Sequence, residues 1–232
     1  MAYLRKVYAL LAGSALVAIV AGMLCITVGP TETFNTNDGI PVQVPIVVAM
    51  LLGNRIMWLA AFGLLMGATF VASWVSKVKG LNVIALFAVA AIMGLELAPM
   101  VFVANVFAGL GRTVTADPVR DAFIMVGAVF AGITTYIFIT KKDFSYLRAS
   151  LSMGFFVIFA ASILAMFMGS EPFSLAVAAG GSVLSAGFLL YVTSYIFRNS
   201  SMDDPVGDAL ALLVQLRNLF MFILRMFMSS RD

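Results

Sequence analysis

Apolar runs longer than 18 residues recur along this chain from near its start to near its end, and each is long enough to cross a ~30 Å hydrocarbon core as a helix. A water-soluble fold cannot bury so many such runs at once. With 62% hydrophobic and 11% charged residues and a mean hydropathy of +1.07, too little polar surface remains to cover a globule. The chain therefore reads as an all-α polytopic membrane protein. Its 232 residues accommodate about seven spans of ~20 residues with short loops. That makes residues 1–232 a single transmembrane domain with no room for a soluble one.

In chain order, a short basic head, Met1 to Lys6, precedes the first apolar run, Val7 to Val28. The run is too long for a signal peptide and no small-residue cleavage site follows cleanly, so it reads as a retained span. Gly29 to Pro45 has the Thr, Asn, Asp, Gly and Pro content of a loop. Ile46 to Ser76 exceeds what a bilayer needs. Asn54-Arg55 divides it into a lead-in, which is interfacial, re-entrant or part of the next span, and a second span over Ile56 to Ser76. Gly63 and Gly67 give that span a Gly-x-x-x-Gly face suited to close helix packing. The third span, Leu81 to Leu110, holds Glu96 and then Pro99, whose ring frees a backbone carbonyl and predicts a kink beside the acid. After the loop Gly111 to Asp121 come a fourth span over Ala122 to Thr140, a fifth over Leu147 to Gly169 and a sixth over Phe173 to Phe197. The turn Arg198 to Asp208 carries Asp203-Asp204-Pro205, negative charge and a proline where a helix N-terminus favours both.

The seventh run, Ala209 to Met228, places Gln215, Arg217 and Asn218 near its middle. Polar groups at membrane depth are tolerated only against protein or a water-filled cavity, so this helix belongs at the centre with the other six around it. Glu96 and Arg217 are the ionisable residues expected deep in the bilayer, and an unpaired charge there costs at least ~2.5 to 3.5 kcal/mol. A Glu96–Arg217 pair is the economical arrangement. It reads either as a packing pin between spans three and seven, with Gln215 and Asn218 satisfying neighbours, or as a gate that opens when Glu96 is protonated.

The residue inventory narrows the chemistry. With no histidine, His-ligated haem, His-containing zinc sites and Ser-His or Cys-His catalysis are excluded. Cys25, the one cysteine, stands in an apolar run as a small core residue. Gly180-Gly181-Ser182 has no base to activate its hydroxyl and reads as small residues for packing. No lysine lies inside a span to form a Schiff base, and the 15 methionines read as adaptable apolar packing. No enzyme activity, cofactor or metal site is expected. The net charge of +3 resides at span ends and implies no nucleic-acid partner. All five lysines, Lys6, Lys77, Lys79, Lys141 and Lys142, fall on one side of the predicted topology. The positive-inside rule puts that side, and the N-terminus, in the cytoplasm and the C-terminus outside.

Three stretches, Gly94 to Pro99, Thr140-Lys141-Lys142-Asp143-Phe144-Ser145-Tyr146-Leu147 and Asn218-Leu219-Phe220, resemble the Bax inhibitor-type transmembrane family. The closing Ser230-Arg231-Asp232 is similar to its bacterial inner-membrane branch. The resemblance implies a seven-helix fold whose last helix is sheathed by two three-helix layers. In family members that carry them, it also implies two carboxylates, one on span six and one on span seven. These share a proton and gate a pH-sensitive calcium leak, because two like charges in a dry site cannot both ionise. Here the corresponding positions are Val192, in Tyr191-Val192-Thr193, and Gln215. Neither titrates. The expected function is therefore a membrane-embedded regulatory or accessory protein that binds other integral membrane proteins, which for the bacterial branch include a membrane-bound ATP-dependent protease. The alternative is a cation leak of the calcium type.

Overall fold

The computed structural model describes residues 2–35, 41–53, 55–78, 80–198 and 204–228. Asn54, Lys79, Asp203 and Ser230-Arg231-Asp232, which the sequence reading used, lie outside the described residues. In chain order the elements are α1 (Ala2–Thr27), β1 (Thr31–Asn35), β2 (Pro41–Pro45), α2 (Ile46–Gly53), α3 (Arg55–Val75), α4 (Leu81–Gly109), α5 (Pro118–Thr140), α6 (Leu147–Met168), α7 (Glu171–Arg198) and α8 (Pro205–Phe227). Among the described residues six helices, α1 and α4 to α8, are long and apolar enough to cross a membrane. α3 is 21 residues long, and Gly63–Val75 is its described apolar stretch. The chain forms two compact units, residues 9–103 and residues 1–8 with 104–232.

In the unit of residues 9–103, the stretch read as loop contains a hairpin. β1 and β2 pair antiparallel with Thr31 opposite Pro45 and Asn35 opposite Pro41. Thr33, Phe34, Val42 and Val44 are β-branched or aromatic, and that strand signal was outweighed by the Gly, Asn and Pro content around it. A two-stranded hairpin is marginal on its own. This one is held by an apolar cluster in which Val44 packs with Cys25, Val48 and Ala98, flanked by Ile26, Val42, Ala49 and Phe102. Cys25 is thus a small core residue, as its sequence context indicated. The lead-in to span two is α2, whose 8 residues extend only about 12 Å. It starts where Ile46 N–H donates to the Pro30 carbonyl, 3.0 Å away.

Among the described residues, the close helix crossing in this unit is not at the Gly-x-x-x-Gly spacing of α3. Gly63 and Gly67 are exposed, with nothing from the described residues near a Cβ built on either. The crossing is instead between α1 and α4. A Cβ on Gly94 would fall 2.0 Å from the Ala18 carbonyl oxygen, and one on Gly22 would fall 3.0 Å from the Gly94 carbonyl oxygen. Ala18-x-x-x-Gly22 is the small-residue face in use. On α4 the buried Leu86, Val89, Ala90 and Met93 recur at helical spacing, and the helix continues through Pro99.

In the second unit α7 packs on α6 and α8, and α5 packs on both α7 and α8. α8 buries Leu210, Leu212, Leu213, Leu219, Phe220, Ile223 and Leu224, a broad apolar surface with Phe220 against Phe123 of α5 at 4.6 Å between ring centroids. Small residues set the spacing around α7. Gly181 leaves space for the Phe222 ring, Gly187 for Leu151, and Gly154 of α6 for Leu184, so Gly180-Gly181-Ser182 serves packing. α5 begins four residues before the predicted span start because Asp117 caps it, accepting from Arg120 N–H at 3.1 Å with Pro118 at the first helical position. Asp204 caps α8 in the same way, accepting from Gly207 N–H at 2.9 Å.

Candidate functional site

Of the predicted polar residues, Gln215, Arg217 and Asn218 lie half-buried on α8. Arg217 Nη1 donates to Asn218 Oδ1 at 3.0 Å, so the amide holds one edge of the guanidinium while its Nε is shielded from solvent. Glu96 is half-buried on α4, one short turn before Pro99, with its Oε2 shielded. It belongs to the unit of residues 9–103, and Arg217 belongs to the other. Val192 is half-buried on α7 and Gln215 half-buried on α8, two helices of one unit that pack together. Among the described residues no three His, Cys, Asp or Glu side chains gather as a metal site would require.

Sequence reasoning used Lys141-Lys142-Asp143-Phe144-Ser145 as a family mark and its two lysines as a topology signal, and gave the loop no structural role. The structure gives it one. α5 ends with Lys141 in the left-handed conformation at φ 50°, which turns the chain back toward α7. Buried Ser194 of α7 then clasps the loop, its Oγ accepting from Phe144 N–H at 3.3 Å and donating to the Lys142 carbonyl at 3.0 Å. The Phe144 ring is buried beside Tyr136 and Tyr146, with centroids 6.1 and 6.2 Å away. Asp143 Oδ2 pairs with Arg198 Nη1 at 2.8 Å, and its Oδ1 accepts from Ser145 N–H at 2.9 Å, an Asx turn. The Ser145 N–H, then the Ser145 hydroxyl and Arg198, hold the Asp143 carboxyl below its ordinary pKa range. Asp143, Ser145, Arg148, Tyr191, Tyr195 and Arg198 line a cavity of about 360 Å³. The sequence signal for this site was the conjunction of an Asp-x-Ser turn with basic span ends and a Tyr191/Tyr195 pair one turn apart.

A family model described as inhibitor of apoptosis-promoting Bax1 matches residues 1–232. The chain belongs to this family. Among members of known sequence, mouse protein lifeguard 4 is 29% identical over 97% of this chain and 84% of its own length. An uncharacterised protein of Campylobacter jejuni is 27% identical over 79% of the chain and 77% of its own length. The Golgi anti-apoptotic protein of vaccinia virus (strain Lister) is 30% identical over 47% of the chain and 46% of its own length. The Bax1-inhibitor family resemblance read from the three motifs is thereby established over the full chain, and with it a multi-pass membrane protein.

Proposed function

We propose that this chain is a membrane-embedded regulatory protein that acts by binding other integral membrane proteins, and is neither a proton-gated calcium leak nor an enzyme. The observation that carries this reading is the side chains at two half-buried positions on the packed helices α7 and α8, Val192 and Gln215. A proton-sharing pair requires two acids there, and a valine and an amide can neither share nor release a proton. The absence of histidine and of any lysine expected within a span supports the non-enzymatic part. In this proposal α3 is the second of seven spans and α8 the seventh and central helix. The N-terminus is cytoplasmic, the C-terminus outside, and the membrane the bacterial inner membrane. A membrane-bound ATP-dependent protease is among the partners the family resemblance implies.

Two experiments test the reading. Reconstituted alone in liposomes, the chain is expected to show no acid-suppressed calcium flux between neutral and mildly acid buffer; a clear one overturns the proposal and restores the leak. Purified in mild detergent from its own membranes, it is expected to carry integral membrane proteins with it at fixed ratio, and an always-solitary chain counts against the reading. The Glu96–Arg217 pair suggested by sequence is addressed by Glu96→Gln and Arg217→Gln, singly and together, where additive losses in detergent melts exclude it.

A further inference from the structure

The cavity beside the α5–α6 loop is lined from three separate stretches of chain, residues 143–145, Arg148 at the start of α6, and Tyr191, Tyr195 and Arg198 on the last turns of α7. Its chemistry is lopsided toward donors. Two guanidiniums and two phenols face one carboxylate, and that carboxylate is already engaged by Ser145 N–H, by the Ser145 hydroxyl and by one nitrogen of Arg198. The remaining nitrogens of Arg198 have no partner among the described residues. Arg148 is exposed and its side chain makes no ion pair or hydrogen bond among the described residues. Both arginines therefore present planar N–H forks that are unspent, the geometry that matches a phosphate oxygen pair.

The bland account of these residues is topological, since arginines and tyrosines are common at span ends. It explains their presence and not their convergence. Arg148 lies on the first turn of α6, a position where positive charge opposes the helix dipole and where this helix carries no acid. The loop that completes the wall is fixed by the Ser194 clasp and the buried Phe144 ring, so this part of the lining is held in place before any ligand arrives. A volume of about 360 Å³ is within the range of small-molecule sites. The polar end of α5, α6 and α7 is also where a lipid headgroup would lie, and basic pockets between transmembrane helices bind anionic headgroups.

We propose that the cavity formed by Asp143, Ser145, Arg148, Tyr191, Tyr195 and Arg198 binds a phosphate ester, carried by the headgroup of an anionic phospholipid. Arg148 and Arg198 take the phosphate oxygens, and the Tyr191 hydroxyl takes part of the rest of the headgroup. Asp143 positions Arg198 and does not touch the ligand.

The test uses the full chain in detergent and in nanodiscs of defined lipid. In native mass spectrometry the chain is expected to retain phosphatidylglycerol over phosphatidylcholine, and phosphatidylglycerol nanodiscs are expected to raise its melting temperature. Arg148→Gln removes a side chain with no described protein partner, so it should leave the melt in phosphatidylcholine unchanged while weakening phosphatidylglycerol retention about tenfold, the effect of losing one charge-assisted hydrogen bond. Arg148→Lys should recover part of it. Tyr191→Phe supplies a second variant that removes only a hydroxyl. Glycerol 3-phosphate and inorganic phosphate form the soluble arm. If glycerol 3-phosphate stabilises the chain as strongly as the lipid does, the phosphate site stands and its source is a soluble ester. Equal retention of the two lipids with no response to glycerol 3-phosphate overturns the proposal, as does lipid preference that survives Arg148→Gln and Tyr191→Phe.

Discussion

Gly94 of α4 lies so close to Ala18 of α1 that a methyl group on it would stand 2.0 Å from the Ala18 carbonyl oxygen. Two helix backbones can approach this closely only where no side chain intervenes, and in a membrane such contact is a main source of helix association. Gly94→Ala must therefore push α1 and α4 apart, at a cost of about 1–3 kcal/mol or more. Gly63→Ala and Gly67→Ala meet nothing among the described residues and gain up to ~1 kcal/mol of helix propensity each. In detergent melts Gly94→Ala should fall sharply while the other two hold or rise. The reverse order would mean that the working small-residue face is on α3 after all.

The Ser194 clasp gives a second outcome. Its hydroxyl satisfies the Phe144 N–H and the Lys142 carbonyl, and removing it strands backbone groups beside a buried ring, at about 1–3 kcal/mol. Ser182 instead donates to the Ala179 carbonyl of its own helix at 2.7 Å, which that turn does not depend on. Ser194→Ala should speed hydrogen exchange at Phe144 and open the 141–146 loop to protease, and Ser182→Ala should do neither. Equal protection in both variants would remove the clasp from the account.

The contrast between Gly63-x-x-x-Gly67 and Ala18-x-x-x-Gly22 shows where sequence reading stops. Both spacings are visible along the chain, but which helix face meets another is decided by tertiary packing that spacing does not encode. Helix extents were legible because apolar length is a one-dimensional property: α4, α6 and α8 lie within a few residues of their predicted bounds. The hairpin of Thr33, Phe34, Val42 and Val44 was not, because its support comes from Cys25 and Ala98, distant in sequence. For the polar site, Gln215, Arg217 and Asn218 were legible as polarity out of place. Ser194 was not, since a serine in an apolar helix gives no sign that its partners are backbone atoms 50 residues away.

Asp143 sets a pH response that can be assigned a sign. Its folded pKa lies below the ordinary value because Ser145 and Arg198 favour the charged form. A depressed carboxyl contributes stability that is fully present above its unfolded pKa, ~3.9, and is lost as pH falls through the folded value. Loop protection in the native chain should be flat from pH 7 to about pH 5 and decline below the ordinary carboxylate range, whereas Asp143→Asn should start lower and stay level. Hydrogen exchange at Ser145 N–H reads this directly. A native profile that declines already between pH 7 and 6 would point to a different group.

Tyr3 Oη donates to Asp208 Oδ2 at 2.6 Å, a hydrogen bond that ties the first turn of α1 to α8. Both side chains are half-buried, and a hydrogen bond to a charged group contributes about 1.5–3 kcal/mol, with partial exposure favouring the lower end. Asp208 has a second role that must be separated from the first. It sits in the first turn of α8, where a negative charge also favours the helix dipole by about 0.3–1 kcal/mol, so Asp208→Asn alone overstates the bond. The double-mutant cycle with Tyr3→Phe cancels the dipole contribution, because that contribution is lost equally with or without the phenol. The coupling that remains should be about 1–2 kcal/mol in detergent melts. Strictly additive losses would show that Tyr3 and Asp208 contribute independently, and the start of α1 would then be held by other contacts, its buried Leu4 and Val7 among them.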